Sequence, residues 1–161
     1  MIQALIRPIK EQDDAEVGQL IKTVLTEFKA NKPGTAYYDE ITDHLSTLFT
    51  NPKAAYWVIE EDHKIIGCGG IFPTEGLPAD TCELVKLYLS PSTRGKGLGR
   101  DLMFKCFEKA KELGYQNIYL ESMPELNQAV KLYERLGFEH QCSALGNSGH
   151  FGCDIWMVKK L

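Results

Sequence analysis

The chain has 161 residues, of which 43% are hydrophobic and 25% are charged. These values are typical of one globular domain and exclude a disordered or low-complexity protein. The formal net charge is -4 at pH 7, so no overall positive field would attract nucleic acid or an anionic membrane. We therefore expect neither of these as a partner.

The cysteines and the start of the sequence indicate a reducing compartment. The five cysteines are dispersed, no Cys-x-x-Cys pair is present, and the first residues lack the apolar run of a secretory leader. An odd number of scattered cysteines favours free thiols over a disulfide framework. Nowhere do about 18 apolar residues follow one another, as a membrane-spanning helix would require. The sequence thus predicts a soluble, cytoplasmic protein.

The first half of the chain alternates between strand and helix patterns. Residues 2–9 are compatible with a short strand, and residues 17–28 carry apolar side chains at helical spacing. A second helical pattern covers residues 41–49, after a Pro-Gly turn signal. Residues 54–60 and 64–72 are strand-like runs separated by three polar residues, which predicts a hairpin.

The second half predicts alternating strands and helices. We expect strands over residues 82–89 and 117–121, helices over 98–113 and 124–136, and two last strands over 138–141 and 153–159. A Ser122/Glu125 capping box and Gly137 are the expected start and stop of the later helix. The order of elements predicts an α/β fold in one domain, residues 1–161, with a mixed sheet of about six to seven strands and about four flanking helices.

The stretch Arg94-Gly-Lys-Gly-Leu-Gly-Arg100 lies between a predicted strand and the clearest predicted helix. The first amide groups of a helix have no partner within it, the helix dipole is positive there, and glycines allow close approach of a ligand. The combination predicts an anion-binding loop. A phosphate-binding P-loop is disfavoured because GxxxxGK[ST] is absent, and the dinucleotide motif GxGxxG fails at Arg100. A nucleotide-binding enzyme stays as an alternative hypothesis.

The pattern Arg94-x-x-Gly97-x-Gly99 after a strand resembles the acetyl-CoA-binding signature of the GNAT acyltransferase superfamily. Residues 83–91 resemble the central strand of that family. Residues 126–138, a helix that ends in Gly-Phe, resemble its second conserved block. The element order is also similar over nearly the whole chain, although residues 1–80 match in layout only.

The resemblance implies which residues hold acetyl-CoA. Backbone groups of Leu87 and Leu89, on either side of Tyr88, would bind the pantetheine arm as an added strand does. The pyrophosphate would lie on the loop and helix start, which comprise Arg94, Gly95, Lys96, Gly97, Leu98, Gly99 and Arg100. Asn127 matches a frequent contact of CoA. The alternatives are an ordinary turn for the loop and a helix cap for Asn127.

The resemblance also implies two catalytic residues. Tyr133 matches the general acid that protonates the departing thiolate, and Glu83 matches a base for the amine, direct or through water. The attack would be direct, with a backbone N–H near Leu89 facing the developing oxyanion. Alternatively, Tyr133 packs in the core and Glu83 is a surface carboxylate or an ion-pair partner.

The late histidines and cysteines do not predict a metal site. His140, Cys142, His150 and Cys153 have the residue types of a zinc site, but their spacing matches no usual zinc finger. No feature links a cysteine to a base, so a thiol nucleophile is also not expected. We expect His150 in a loop that shapes the acceptor pocket, with an exposed turn as the alternative.

Overall, the resemblance implies an N-acetyltransferase that moves an acetyl group from acetyl-CoA to a primary amine, on a small molecule or on a protein. Tyr37 and Tyr38 either line the acceptor pocket or cover the core. The rival hypothesis is a CoA-binding module or sensor without turnover. Because relatives often dimerise, the resemblance also leaves a homodimer open.

Overall fold

The computed structural model describes residues 3–161, and their strands form one seven-stranded sheet. In the order β1-β2-β3-β4-β5-β7-β6 across the sheet, the strands are β1 (Leu5–Pro8), β2 (Ala55–Glu61), β3 (Lys64–Phe72), β4 (Thr81–Leu89), β5 (Asn117–Ser122), β7 (Ile155–Lys160) and β6 (Glu139–Gln141). All neighbours are antiparallel except β4 and β5, which are parallel. The predicted mixed sheet is therefore confirmed.

In the described part of the chain, three α-helices and several short 3-10 helices accompany the sheet. The α-helices are α1 (Asp14–Glu27), α2 (Leu98–Glu112) and α3 (Asn127–Arg135). The 3-10 helices span Glu11–Asp13, Ala36–Tyr38, Glu40–Asp43, Leu45–Thr50, Pro91–Thr93 and Pro124–Leu126. Met1 and Ile2, at the start of the first predicted strand, lie outside the described residues.

Two hydrophobic clusters lie on opposite faces of the sheet. Trp57 and Ile59 of β2 pack in the cluster that includes α2 and α3, whereas Tyr56 and Val58 pack in the cluster that includes α1. Successive side chains of a strand point to opposite faces, so both faces of β2 are covered. This burial on both sides explains why the central strands read as nearly continuous apolar runs.

The turn between β2 and β3 shows how the local sequence sets the register. Asp62 and His63 both have positive φ values, 51° and 61°, and the flanking residues Glu61 and Lys64 pair with each other. Two residues of positive φ make a type I′ turn, which matches the twist of a hairpin. The predicted hairpin is confirmed.

The second predicted helix is not an α-helix. Residues 41–49 lie in two 3-10 helices, separated by His44 at φ -140° and ψ 37°. The carboxylate of Asp14 binds both the backbone N–H and the hydroxyl of Ser46, at 2.9 and 2.6 Å. The hydroxyl of Thr42 donates to the carbonyl of Ala36 at 2.6 Å. These side-chain to backbone bonds compete with regular helical pairing.

The predicted capping box at the later helix is also wrong. Ser122 is the last residue of β5, and the N-cap of the following 3-10 turn makes no side-chain cap bond. Glu125 instead pairs with Lys32 at 3.1 Å, so its carboxylate is drawn toward the segment after α1. The predicted stop is confirmed, because Gly137 follows α3 with a φ of 95°.

Candidate active site

Strands β4 and β5 separate part-way along their length. Their parallel pairing covers only residues 81–83 and 117–119. Beyond that point β4 stays paired with β3, and β5 stays paired with β7. The space between residues 84–89 of β4 and 120–122 of β5 is called the cleft below. Among residues 3–161, no strand pairs with the edge of β4 that borders the cleft.

The predicted pantetheine residues present backbone groups to this cleft. The N–H of Ser90 donates to the carbonyl of Ile66 in β3 at 2.9 Å. Because backbone groups alternate in direction along a strand, those of Leu89 and Leu87 face away from β3, toward the cleft. The side chains of Leu87 and Leu89 pack against the core on the α2 side. Their burial fixes the backbone edge in place.

A β-bulge at Lys86 sets this orientation. Lys86 has a φ of 47°, and the register with β3 shifts between Cys68 and Gly70. Its carbonyl accepts a hydrogen bond from the hydroxyl of Tyr56 at 2.7 Å, which holds the irregular backbone. A bulge places one extra residue in a strand and redirects the residues beyond it.

The glycine-rich loop leads directly into the N-terminus of α2, beyond the open end of the cleft. Gly95 and Gly97 have φ values of 78° and 76°, and Gly97 is the N-cap of the helix. A Cβ built on Gly95 would meet no atom within 4 Å, so the loop backbone is open to a ligand. Gly99 differs, because its Cβ would lie 2.6 Å from a side-chain carbon of Leu89.

Arg94 has an additional structural role. Its guanidinium binds both carboxylate oxygens of Glu27, at 2.5 and 2.9 Å, and lies 4.8 Å from the ring centre of Phe28. It also donates to the carbonyl of Leu89 at 3.1 Å. The Arg94 side chain therefore joins the loop to the end of α1 and to the end of β4.

The other predicted cofactor residues lie at the surface. Lys96 is 4.0 Å from a carboxylate oxygen of Glu61, and Arg100 is 3.8 Å from one of Asp101. Asn127 is exposed and is the first residue of α3, and no side-chain bond caps that helix. The alternative role of Asn127 as a helix cap is therefore not found.

Glu83 lies at the closed end of the cleft, where β4 and β5 last pair. It is 3% exposed, and its Oε1 atom has no hydrogen-bond partner among residues 3–161. Burial, followed by the negative charge of Glu121, raises the pKa of Glu83 to about 7. Thr74, His150 and Lys86 act in the opposite direction. The alternative of an exposed surface carboxylate is wrong.

Glu83 lines a small pocket, which is called the central pocket below. Its lining includes Glu83, Lys86 and Tyr88 of β4, Glu121 of β5, His150 and Cys153. Glu121 accepts hydrogen bonds from the hydroxyls of Tyr119, at 2.6 Å, and of Ser148. The loop between β6 and β7 is thereby fastened over the end of β5.

A second set of contacts joins the segment after α1 to two residues that line the central pocket. Asp39, in the segment after α1, is 2.8 Å from the Nζ atom of Lys86 and 2.6 Å from the Nε2 atom of His150. Burial acts to raise the pKa of Asp39, but His150 and Lys86 outweigh it and hold the value at about 2. Asp39 is therefore a carboxylate throughout the physiological range.

Tyr133 is buried in the cluster beneath α2 and α3. It is 6% exposed, and its ring centre lies 5.8 Å from that of Phe138. Burial raises the pKa of Tyr133 above its ordinary value, so the phenol keeps its proton at neutral pH. The ring of Tyr133 therefore packs in the core, and its role as a general acid stays a prediction.

The two predicted acceptor tyrosines do not line the central pocket. Tyr37 and Tyr38 stack edge to face at 5.0 Å, and Tyr38 is 60% exposed. Their neighbours Thr35 and Ala36 line the pocket instead. Of the predicted acceptor residues, only His150 lies in this lining.

The remaining predictions concern metals and membranes. Within residues 3–161, no three His, Cys, Asp or Glu side chains are arranged to hold a metal ion. In the same part of the chain, the helices are too short or too polar to cross a membrane.

Known proteins are similar to this chain in sequence and in fold. The model of the acetyltransferase (GNAT) family matches residues 19–138. The chain belongs to the GNAT family.

Individual relatives cover almost the whole chain. It is 39% identical to the uncharacterised N-acetyltransferase YjgM of Escherichia coli, over 98% of this chain and 95% of that protein. A GNAT-family acetyltransferase of Staphylococcus aureus superposes with a TM-score of 0.86 at 17% identity, with 99% of each chain covered. The PaiA N-acetyltransferase of Thermoplasma acidophilum, solved in complex with coenzyme A, superposes with a TM-score of 0.78 at 18% identity and the same coverage. At these identities the two structures show a shared fold.

Four further residues of this GNAT protein lie at or beside the central pocket and were not predicted from the sequence: Asp39, Lys86, Glu121 and Ser148. Lys86 and Glu121 carried a usable signal, because each is a charged residue that directly follows apolar residues in its strand. A charged residue at such a position is expected to face a partner or a site. Asp39 and Ser148 lie in polar segments, where nothing local distinguishes them.

Proposed function

We propose that this protein is an N-acetyltransferase that transfers an acetyl group from acetyl-CoA to a primary amine. The observation that carries the proposal is the cleft. A buried carboxyl, Glu83, lies at its closed end, and the glycine-rich start of α2 lies beyond its open end. The CoA complex of the Thermoplasma acidophilum protein, which has the same fold, supports this assignment.

The residues present fit acetyl-CoA. The unpaired edge of β4 at Leu87 and Leu89 can form hydrogen bonds with the amide groups of the pantetheine arm. The arm would then lie along β4 in the way that an added strand does. The free amides at the start of α2, with open space at Gly95, suit the pyrophosphate. Lys96 and Arg100 add positive charge at the surface of the loop.

The chemistry requires one proton acceptor and one proton donor. When bound, acetyl-CoA supplies an acetyl group activated as a thioester. Glu83, with a pKa of about 7, is largely ionised just above neutral pH and is a stronger base than an ordinary glutamate, so it takes a proton from the amine. Tyr133 retains its phenolic proton and would give it to the departing sulfur.

Direct attack by the amine is preferred over a cysteine intermediate. Cys153 lines the central pocket, but burial raises the pKa of its thiol to about 12. The thiolate, not the thiol, is the nucleophile. At neutral pH Cys153 is therefore too rarely ionised to accept the acetyl group.

A thiol-release assay tests the proposal. Purified protein is incubated with acetyl-CoA and a panel of primary amines that includes polyamines, amino acids, aminoglycosides and peptides with free N-termini. We expect at least one amine to accelerate the release of free thiol. Calorimetric titration with acetyl-CoA, run in parallel, measures binding independently of turnover.

The alternative, a CoA-binding module without turnover, predicts a different pair of results. The protein would bind acetyl-CoA in the calorimeter, and no amine would increase thiol release. A thermal-shift comparison also tests the proposal, because ligand that binds the native state raises the melting temperature. A larger shift with ATP or NAD than with CoA would contradict it.

A further inference from the structure

His150, which lines the central pocket, contacts Asp39 although 111 positions separate them in the sequence. Nε2 of His150 lies 2.6 Å from Oδ2 of Asp39, and the same carboxylate oxygen lies 2.8 Å from Nζ of Lys86. Asp39 is therefore a fixed anion that orients the imidazole. Since Nε2 carries the hydrogen toward Asp39, the other ring nitrogen, Nδ1, is a free acceptor when His150 is neutral.

Glu83 and His150 line the same pocket but differ in exposure. Glu83 is 3% exposed, whereas the side chain of His150 keeps 17% of its accessible surface. If Glu83 takes a proton in every catalytic cycle, that proton must leave a buried position. His150 lines the same pocket and is partly exposed to solvent.

The other titratable groups that face the pocket are less suited to carry that proton. Lys86 is paired with Asp39, and Glu121 is engaged by the hydroxyls of Tyr119 and Ser148. The thiol of Cys153, with a pKa raised by burial to about 12, does not exchange protons readily near neutral pH.

Tyr88, the remaining group on β4, is also unsuited. Burial raises the pKa of its phenol well above its ordinary value. His150 is the remaining titratable side chain in the lining of this pocket, and an imidazole ring can both accept and donate a proton.

We propose that His150, positioned by Asp39, receives the proton from Glu83 through the pocket and releases it to solvent. The inference rests on the proposed function. An ammonium acceptor loses two protons when it becomes an amide. Tyr133 gives one proton to the departing thiolate, and a proton from the amine then restores the phenol. The other passes to the Glu83 carboxylate, then to Nδ1 of His150, and then to water, which restores both groups.

The test compares two histidine–carboxylate pairs. His150→Gln removes the imidazole ring from the pocket, while His140→Gln removes a surface imidazole that lies 3.1 Å from Glu134. We expect His150→Gln to lower kcat by roughly 10- to 100-fold, which is at or below the lower end of the effect of a general acid or base, because His150 acts through Glu83 and not on the substrate. We expect the acetyl-CoA Kd to stay within about twofold, because only proton transfer is affected. His140→Gln should match the wild type in both quantities.

Two further readouts separate proton transfer from a structural role. Added imidazole should restore part of the kcat of His150→Ala, in proportion to its concentration, and should not affect Glu83→Gln. Long-range ¹H–¹⁵N spectra of the wild-type protein, assigned by comparison with His150→Gln, should show neutral His150 with its hydrogen on Nε2. This spectrum requires no turnover.

Each outcome decides between the hypotheses. Wild-type protein that turns over an amine, combined with an unchanged kcat in His150→Gln, overturns this inference and leaves the proposed function standing. A hydrogen on Nδ1, or no rescue by imidazole, overturns it as well. A wild-type protein that releases no thiol with any amine overturns both.

Discussion

The guanidinium of Arg94 binds both carboxylate oxygens of Glu27 and so joins the glycine-rich loop to the last turn of α1. The positive charge of Arg94 is therefore partly neutralised within the protein. The same contact connects the glycine-rich loop to α1, and the segment after α1 contains Asp39, which contacts Lys86 of the central pocket.

We expect Glu27→Gln to tighten acetyl-CoA binding. The substitution removes a negative charge beside Arg94, and at a partly exposed site this is worth about a threefold decrease in Kd. The ion pair is partly exposed, so its loss should cost no more than about 1 kcal/mol of stability. Calorimetric titrations at low and high salt measure the effect, which should shrink as salt increases.

Glu112→Gln is the matched control for Glu27→Gln. Glu112 is the last residue of α2, at the opposite end from the loop, and its side chain is 69% exposed. Its substitution should leave the Kd unchanged. Equal effects from the two variants would show that net charge, rather than the Arg94 contact, controls the affinity.

Glu83 should make the protein less stable as the pH rises. Its pKa is raised from 4.5 to about 7 in the folded chain, so between these values the unfolded chain has released a proton that the native protein still holds. Stability therefore falls through this range, by roughly 3 kcal/mol in total. Glu83→Gln removes this cost and should gain stability relative to the wild type between pH 5 and pH 8.

Denaturant unfolding at about pH 5 and about pH 8 checks this expectation. Glu108→Gln, at an exposed position of α2, is the control, and its difference from the wild type should stay nearly constant. A Glu83→Gln variant that gains no stability at the higher pH would contradict the burial of a charged carboxyl in the cleft.

The proposed catalytic role of Glu83 makes a separate prediction. In the proposed reaction the ionised carboxylate is the base, so kcat/KM of the wild type should rise as the pH passes about 7. Glu83→Gln should be slower by about 100-fold and should lose this rise. A variant with an unaltered pH–rate profile would remove Glu83 from the mechanism while leaving the fold argument intact.

Local pattern was sufficient to predict most of the fold. The alternation of strand and helix periodicity predicted the sheet, and the run from β4 through Gly95 and Gly97 to α2 predicted the glycine-rich turn before the helix, because both depend on neighbours in sequence. Contacts between distant loops have no such signal. Arg94 and Glu27 are 67 positions apart, and His150 and Asp39 are 111 apart. Only the folded chain brings these pairs together, so their roles could not be predicted.

Tyr133→Phe should lower turnover without destabilising the protein. The hydroxyl of Tyr133 makes no hydrogen bond within residues 3–161, so its removal leaves no partner unsatisfied. We expect kcat to fall by roughly 100-fold and the acetyl-CoA Kd to stay constant. Thiol release and calorimetric titration measure the two quantities.

Tyr115→Phe provides the comparison. Its hydroxyl donates to the carbonyl of Lys53 at 2.8 Å, and the loss of this bond should cost about 1 kcal/mol of stability with no change in kcat. If Tyr133→Phe instead resembled Tyr115→Phe, with unchanged turnover and lowered stability, Tyr133 would be a core residue only.

Gly95→Ala tests whether the loop binds the cofactor through its backbone. Gly95 has a φ of 78°, and an added Cβ would meet no protein atom within 4 Å. The cost to folding is therefore backbone strain alone, about 1 kcal/mol. A ligand that approaches this backbone closely would meet the new methyl group, so we expect the acetyl-CoA Kd to rise by about 10-fold or more.

Gly114→Ala carries the same strain, because Gly114 has a φ of 91° and an equally open surrounding at the other end of α2. It should lose similar stability and keep the wild-type Kd, so equal losses of affinity in the two variants would place the cofactor elsewhere.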